Sequence, residues 1–237
     1  MRRASAPYQS AMLAAPEARA LEFELPLQLL DLQPGMRLLD LPSGGGYLKR
    51  HLPESVVHVP AETVASYADY EQVLLCDWDS IPLPDGQIDA ALSLAALHHL
   101  TDRRQACYRE IHRVMRPGGV FVIADVGVGS GPAQWLDNFV AAYSSEGHAA
   151  VFFEADTDSA QLRAGGFDVV SAETKAYPWR FDSRKQMVDF CRGLFRLDLP
   201  NDAQIEQAIE DLLGVDEHVG GRVEMQWSLM HFKALRL

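Results

Sequence analysis

The segment Arg37-Leu38-Leu39-Asp40-Leu41-Pro42-Ser43-Gly44-Gly45-Gly46-Tyr47 decides how the rest of the chain is interpreted. It begins as a short apolar run of the kind that forms a buried strand, and three consecutive glycines follow. Glycine lacks a Cβ atom, so a ligand can come close to the backbone and to its free N–H groups. The segment therefore predicts a strand, a ligand-binding loop and then a helix.

Two common nucleotide-binding motifs do not fit this loop. A dinucleotide fingerprint needs glycines at offsets of about 0, 2 and 5, and the last of these positions, counted from Gly44, is Lys49. A phosphate-binding P-loop needs a Gly-Lys-Ser/Thr sequence, which does not follow. The pattern therefore disfavours a nicotinamide-dependent dehydrogenase.

Short apolar runs recur on the carboxyl side of the loop. Strands are predicted at 37–41, 55–59, 72–76, 88–94 and 120–125. Helical or turn segments separate them, which is typical of βα units around a parallel sheet. Further along, Ser183-x-x-Gln186 and Asn201 each open an apolar-periodic helix, and apolar residues alternate from Val223 to Leu229. This part predicts two helices followed by a half-exposed last strand.

Three longer motifs follow the loop in order. They are DWDSIPLPDGQID at 77–89, LSLAALHHL at 92–100 and REIHRVMRPGG at 109–119. Together with DLPSGGG at 40–46, they resemble the class I S-adenosylmethionine-dependent methyltransferases over about 36–126. The one departure within the first motif is Pro42, which stands where the family has its first glycine.

The resemblance implies an α/β fold with a doubly wound, mostly parallel seven-stranded sheet, the Rossmann-like methyltransferase fold. An antiparallel last strand and a helical lid insertion complete it. The corresponding organisation is an N-terminal helical cap at 1–35, a cofactor-binding core at 36–175, a helical lid at 176–220 and a final strand at 221–237.

The resemblance also implies S-adenosylmethionine as cofactor, with S-adenosylhomocysteine as its product. The methionine end carries a carboxylate and an ammonium group, which suit backbone N–H donors of the loop together with an acidic acceptor. The residues expected around the cofactor are Tyr8, Asp40, Pro42, Ser43, Gly44, Gly46, Pro60, Glu62, Asp77, Trp78, Ser93 and Leu94.

Several of these residues have a specific expected role. Asp40 would accept from the methionine ammonium group, Asp77 from the adenine amino group, and Trp78 would offer a flat ring face. Ser93 and Leu94 would lie at the carboxyl end of the fourth strand, and a helix carrying Tyr8 would fold over the cofactor. Three of them have a plainer alternative: Asp77 as a turn aspartate, Trp78 as a tryptophan at the edge of the core, and Tyr8 as an ordinary aromatic residue of an amphipathic helix.

Two prolines depart from the family pattern. Pro42 has a fixed φ and no N–H, so it cannot copy a glycine that curls against the ligand. Pro60 stands where the family's second strand ends in an acid that holds the ribose hydroxyls, with Glu62 two residues later. Glu62 fits either as a substitute for that acid or as an acid that opens a helix.

His98 and His99 are the candidate catalytic residues. Methyl transfer depends mainly on aligning the acceptor with the methyl group, and a base is optional. A neutral imidazole could take a proton from an acceptor hydroxyl or amine. The alternative is a hydrogen-bonded structural pair at the start of a helix.

Other side chains could form the walls of a pocket. Arg192 and Arg196 lie one helical turn apart and could meet an acidic substrate, or could belong to a solvated helix face. The aromatic candidates for pocket walls are Trp135, Tyr143, Phe152, Phe153, Trp179 and Phe190.

Composition limits the partners. The 237 residues carry 21 basic and 33 acidic side chains, a net charge of −12, which disfavours nucleic acid. The longest apolar run, 90–97, is far shorter than a bilayer span, so no membrane association is predicted. Cys76, Cys107 and Cys191 are isolated, which predicts neither disulfides nor a metal site and favours a cytoplasmic protein. A homodimer is compatible with the sequence.

Two hypotheses follow. The first is a cytoplasmic methyltransferase that acts on a small organic molecule. The second is a non-catalytic or regulatory protein on the same scaffold, in which Pro42 and Pro60 mark a degenerate site.

Overall fold

In the computed structural model, residues 6–68, 70 and 72–237 are described, and eight strands among them form one sheet. The strands are β1 (Arg37–Asp40), β2 (Val57–Glu62), β3 (Leu74–Leu75), β4 (Ile88–Leu94), β5 (Met115–Asp125), β6 (Phe167–Phe181), β7 (Val215–Glu217) and β8 (Val223–Arg236). Their order is β3-β2-β1-β4-β5-β8-β6, and the short β7 also pairs with β8.

The first five strands are parallel, whereas β8 is antiparallel to both β5 and β6. This confirms the doubly wound, mostly parallel sheet with an antiparallel last strand, to which β7 adds a short eighth strand. The chain leaves the centre at β1, runs outward to β3 and returns to β4 on the other side of β1. Ligands of open α/β sheets bind at such a reversal, beyond the carboxyl ends of the strands.

Helices cover both faces of the sheet. They are α1 (Ala6–Ala14), α2 (Ala20–Leu30), α3 (Arg104–Val114), α4 (Gly131–Gln134), α5 (Ala141–Tyr143), α6 (Ala155–Ala164), α7 (Arg184–Leu194) and α8 (Asp202–Leu212). A π-helical segment, Trp135–Val140, joins α4 to α5. None of the described helices combines the length and apolar composition that a bilayer crossing requires.

Successive side chains of a strand point to opposite faces of the sheet, so each face carries its own hydrophobic core. Leu38 and Val122 belong to one buried cluster, whereas their neighbours Leu39 and Ile123 belong to the other. Because helices cover both faces, both sets of side chains are apolar, which explains the near-continuous apolar runs in the sequence.

Several predicted boundaries differ from the structure. β2 continues through Pro60, whose Cα pairs with that of Asp40, and ends at Glu62 because β3 pairs with its last two residues. The segment after the glycine loop is a short 3₁₀ helix, Tyr47–His51, rather than a full α-helix. β6 continues to Phe181 because it pairs with β8 along its whole length, so the predicted boundary between 175 and 176 lies inside a strand.

The N-terminal helix α1 packs directly on α7, the first helix of the predicted lid. The contact centres on Gly193, where a Cβ atom would lie 2.8 Å from the Pro7 carbonyl oxygen and 2.9 Å from the Ala11 Cβ. Two hydrogen bonds extend the attachment, from Arg180 N–H to the Ala18 carbonyl and from the Gln186 amide to the Ala14 carbonyl. The N-terminal segment is thereby held over the carboxyl ends of the strands.

Replacing Gly193 with alanine tests this close contact. Alanine favours a helix interior over glycine by about 1 kcal/mol, but overpacking costs about 1–3 kcal/mol. We therefore expect Gly193→Ala to lower the free energy of unfolding in urea by about 1 kcal/mol and to speed proteolysis beside α1. The control is Gly127→Ala, where the new Cβ meets its nearest neighbour at an ordinary 3.6 Å. Equal stability of the two variants would contradict the packing described.

Candidate functional site

A cavity of about 540 Å³ lies beyond the carboxyl ends of β1, β2 and β4. The glycine loop, the turn after β4, the N-terminal segment and the residues after α7 surround it. Of the fourteen residues predicted to contact the cofactor or to act in catalysis, eight line it: Tyr8, Pro42, Gly44, Glu62, Trp78, Leu94, His98 and His99. The other six of that set, which are absent from its wall, are Asp40, Ser43, Gly46, Pro60, Asp77 and Ser93.

Glu62 is the acid at the end of the second strand. Its side chain is buried, and one carboxylate oxygen accepts from Gly44 N–H at 3.0 Å. The other oxygen accepts from the N–H groups of Thr63 at 2.8 Å and Val64 at 3.0 Å. The strand-end position assigned to Pro60 from the sequence therefore belongs to Glu62, because the strand runs two residues further than predicted.

Asp40 points away from the cavity. Its Oδ2 lies 2.9 Å from His58 Nε2, and the carboxyl group is buried. Burial raises the pKa of Asp40, although the hydrogen bond to His58 and the charge of that ring oppose the shift. In the structure Asp40 therefore serves to join β1 to β2 through His58.

The glycine loop uses its own N–H groups internally. Ser43 N–H donates to the Ala61 carbonyl at 2.9 Å, Gly46 N–H donates to the Ser43 carbonyl at 2.9 Å, and Gly44 N–H is bonded to Glu62. Gly46 has a φ of 80°, and a Cβ atom there would lie 2.8 Å from the ring of Tyr70. These three donors are consequently engaged within the protein and do not point into the cavity as free groups.

Arg19 supplies a cation to the cavity wall beside the loop. Its guanidinium donates to Glu22 at 2.5 Å and makes longer contacts of 3.4 Å to the Tyr8 hydroxyl and 3.9 Å to the Met12 sulfur. Burial alone would lower the pKa of Arg19, but Glu22 and Tyr8 hold it above its ordinary value. The longer contacts leave one terminal nitrogen weakly bonded, beside a Tyr8 hydroxyl that lies 3.6 Å from the Cβ position of Gly44.

Glu22 connects this cation to the far side of the cavity. Its second oxygen accepts from Trp179 Nε1 at 2.7 Å, and the Arg19 guanidinium lies 5.2 Å from the centroid of the Trp179 ring. Trp179 stacks on Trp227, with ring centroids 4.4 Å apart. The remaining apolar side chains on this side are Leu136, Val140, Leu194 and Phe195.

Other predicted residues also have clear positions in the structure. Of the aromatic candidates for pocket walls, only Trp179 is among the lining residues, while Arg196 lines the cavity and is paired with Glu146. Trp78 lines the cavity, but Asp77 is exposed outside it. Ser93 lies inside β4 with its hydroxyl buried, and that hydroxyl has no hydrogen-bond partner among the described residues.

His98 is held by a buried carboxylate. Its Nδ1 lies 2.6 Å from Asp125 Oδ1 at the end of β5, which places the proton on Nδ1 and leaves Nε2 as an acceptor. Asp125 also accepts from the N–H groups of Ala96, His98 and Val126 at 2.7–3.2 Å. Burial opposes the charge of Asp125, but His98 and the Val126 N–H outweigh it and hold the pKa of Asp125 below its usual range.

Two further histidines lie against His98. The ring centroids of His98 and His99 are 4.0 Å apart, and His148 lies 5.5 Å from His98 and 5.1 Å from His99. Burial lowers the pKa of His99, with His98 adding to the effect. Burial, followed by His98 and His99, also lowers the pKa of His148, to about 4. These two imidazoles are therefore neutral at pH 7.

Sequence reasoning missed Arg19, Glu22, His148 and Trp227. Each is far from the recognised motifs along the chain and reaches the cavity only through contacts between distant segments. Glu22 has no signal that separates it from Glu24 in the same segment, 21–30. His148 is held there by the bond from Val151 N–H to the His98 carbonyl, which the sequence does not reveal.

Comparisons with known proteins find similarity to methyltransferases. Residues 39–123 match the family described as "Methyltransferase domain". The chain is 34% identical over 125 residues to an uncharacterized methyltransferase of Synechocystis sp., an alignment that covers 48% of this chain and 56% of that protein. The chain spans about half the length, or less, of the first curated relatives it matches.

Solved structures share the fold over nearly the whole chain. A SAM-dependent methyltransferase of Thermotoga maritima superposes with a TM-score of 0.62 at 14% identity, covering 97% of this chain and 94% of that one. An N-methyltransferase of Haemonchus contortus, solved with phosphomonomethylethanolamine and S-adenosylhomocysteine, gives a TM-score of 0.57 at 15% identity. That match covers 92% of this chain and 56% of the other.

Replacing Asp125 with asparagine tests the hydrogen bond between its carboxylate and His98. Hydrogen bonds to a charged group contribute about 1.5–3 kcal/mol, and we expect Asp125→Asn to lower the free energy of unfolding at pH 7 by about that amount. The pKa of Asp125 is lower in the folded protein than its unfolded value of about 3.9. The stabilisation is therefore complete well above pH 4 and lost as the pH falls through the folded-state value, so the difference between the proteins should shrink in acid.

The measurement is urea unfolding of both proteins from neutral pH to about pH 3. Asp137→Asn, at an exposed position of the π-helical segment, is the control for the loss of one carboxylate. A difference between Asp125→Asn and the unsubstituted protein that stays constant across this range would show that the ionised carboxylate is not what stabilises the turn.

Proposed function

We propose that this protein transfers a methyl group from S-adenosylmethionine to a small organic molecule. The premise is that residues 39–123 form a methyltransferase domain of the class I, S-adenosylmethionine-dependent type. The accepting atom is an oxygen, nitrogen or carbon. The observation that carries the proposal is that one cavity joins Glu62 and the glycine loop at one end to the histidines and an apolar wall at the other.

The residues at the first end fit the cofactor. Glu62 stands at the end of β2, and its carboxylate, which already accepts from three N–H groups, can still accept from a ribose hydroxyl. Trp78 offers a ring face for adenine. Arg19 and Tyr8 would hold the methionine carboxylate, since a guanidinium suits a carboxylate better than any other side chain. Bound here, S-adenosylmethionine supplies a methyl carbon activated by the positive charge on sulfur.

The second end would position and activate the acceptor. The Nε2 acceptor of His98, fixed in orientation by Asp125, lies in the same wall as Leu94 at the end of β4. Holding two reactants in a fixed geometry accounts for a large part of the acceleration of such displacements. The positioning of the acceptor against the histidines is therefore the main contribution expected from the protein.

The cavity wall favours a small, partly apolar acceptor. Trp179, Trp227 and Phe195 form an aromatic surface that α1 and α7 cover from outside. A net charge of −12 disfavours a polyanionic substrate. An aromatic or otherwise apolar molecule with one polar group reaching the histidines suits these walls.

A protein that binds the cofactor without transferring its methyl group is the second candidate. One observation favours it: the N–H groups of Ser43, Gly44 and Gly46 are bonded within the protein, and Pro42 has no N–H. Binding to S-adenosylhomocysteine without turnover would identify this second function.

Substituting Glu62 tests the placement of the cofactor. An amide cannot replace a carboxylate that accepts from hydroxyl groups while bonded to the loop, so we expect Glu62→Gln to raise the Kd for S-adenosylhomocysteine at least about tenfold. Isothermal titration calorimetry measures the Kd, and thermal unfolding checks the fold. Glu54→Gln, at an exposed position between β1 and β2, is the matched control. No heat of binding with the unsubstituted protein would remove both candidate functions.

Transfer itself can be followed with methyl-labelled S-adenosylmethionine and the small-molecule fraction of a cell extract. We expect label to enter a compound that an organic solvent extracts, and His98→Ala to lower the rate by about 10²–10⁴ while the Kd for S-adenosylhomocysteine changes little. Retained turnover in His98→Ala would contradict the role given to the histidine end of the cavity.

A further inference from the structure

Three imidazoles meet at one end of the cavity. Each of His98, His99 and His148 has one ring nitrogen that lies within 4.8 Å of a ring nitrogen of both other residues. A tetrahedral metal ion with bonds of about 2.0–2.1 Å separates its ligands by about 3.3 Å, which small side-chain rotations would achieve here. Three histidines at such distances form the donor set of many sites for first-row transition metals.

Hydrogen bonds hold the rings of His98 and His99 in the way that they hold histidine ligands in metal sites. In metal sites, a ligating histidine usually donates its other ring N–H to a carboxylate or a carbonyl. His98 Nδ1 lies 2.6 Å from the buried Asp125 carboxylate, and His99 Nδ1 lies 3.3 Å from the Ala149 carbonyl. Both rings consequently keep Nε2 as a free acceptor.

The segment that carries His148 is fixed to the other two histidines. Val151 N–H donates to the His98 carbonyl at 2.8 Å, and the carbonyl of Ala149 meets the His99 ring. His148 Nδ1 is buried, and no group in the described part of the chain bonds to it. A buried ring nitrogen without a hydrogen-bond partner, on a ring packed against two other imidazoles, is a costly arrangement unless a ligand satisfies it.

We infer that His98, His99 and His148 bind a divalent first-row transition-metal ion such as Zn²⁺, with Asp125 orienting His98. Three protein ligands leave one coordination position open, as in catalytic zinc sites, and the histidines line the cavity that would hold the acceptor. With the metal bound, coordination takes the Nε2 lone pair of His98, so the metal and not the imidazole would activate the acceptor, whose hydroxyl, amine or thiol would take the open position. This last point rests on the proposed function, whereas the metal site itself does not.

The test is metal binding by the full-length, tag-free protein after treatment with EDTA and desalting. Titration with CoCl₂ reports coordination through the visible d–d absorption of tetrahedral Co²⁺, and calorimetry with ZnCl₂ gives affinity and stoichiometry. We expect one equivalent of metal per chain. His148→Ala and His99→Ala, which replace the two less buried ligands, should each raise the Kd for Zn²⁺ at least about 100-fold, and Asp125→Asn about 10–100-fold.

His218→Ala, at an exposed histidine next to β7, is the matched control and should bind Zn²⁺ like the unsubstituted protein. Absence of the Co²⁺ spectrum and of stoichiometric Zn²⁺ binding in the unsubstituted protein would overturn the inference. Binding that survives both His99→Ala and His148→Ala would do the same, since it would lie elsewhere. Thermal unfolding of each variant ensures that loss of binding is not loss of fold.

Titration of the same preparation with S-adenosylhomocysteine separates this inference from the proposed function. If the protein binds S-adenosylhomocysteine but does not bind metal, the metal site is rejected and the proposed function stands. If it binds metal but does not bind S-adenosylhomocysteine, the metal site stands and the proposed function is rejected.

Discussion

The buried carboxylate of Asp125 fixes the geometry of the histidine end of the cavity. A carboxylate removed from water must find hydrogen-bond donors, and nearly all the donors near the end of β5 belong to the turn that follows β4. The path of that turn, from Ala96 to His98, is therefore dictated by the need to satisfy one charge. Glu62 acts in the same way at the end of β2, where it holds the glycine loop through Gly44. Two carboxylates at the ends of two strands thus define the two ends of one cavity.

This arrangement gives each half of the cavity an independent support. The end that holds Glu62 depends on β1, β2 and the loop between them, whereas the histidine end depends on β4, β5 and the segment that carries His148. The two halves meet near Leu94, at the reversal of strand order between β1 and β4. Substitution in one half can then alter its ligand while the other half keeps its shape, which suits a scaffold that combines one cofactor with many acceptors.

The sequence was informative where function and local structure coincide. Three motifs predicted the fold correctly, because the residues of each are contiguous in the sequence. They are the strand-loop segment around Asp40, the histidine pair and the Arg-Pro-Gly-Gly motif. The end of β2 was misjudged because a proline suggested a strand terminus, while pairing with β3 carries the strand on to Glu62. Arg19, His148 and Trp227 could not be assigned, because they reach the cavity only through contacts between segments far apart in the chain. Asp40 was given a ligand role that the structure does not support directly, since its partner is His58, a neighbour across two strands.

The contact of α1 with α7 at Gly193 also joins the two helices into one unit. A Cβ atom at Gly193 would already touch the Pro7 carbonyl oxygen and the Ala11 Cβ, so the helices lie too close for one to shift freely past the other. The Arg19 guanidinium contacts the Tyr8 hydroxyl of α1 and Glu22 of α2, and Glu22 in turn accepts from Trp179 of β6. A displacement of α1 would therefore be felt both at α7 and at the aromatic wall.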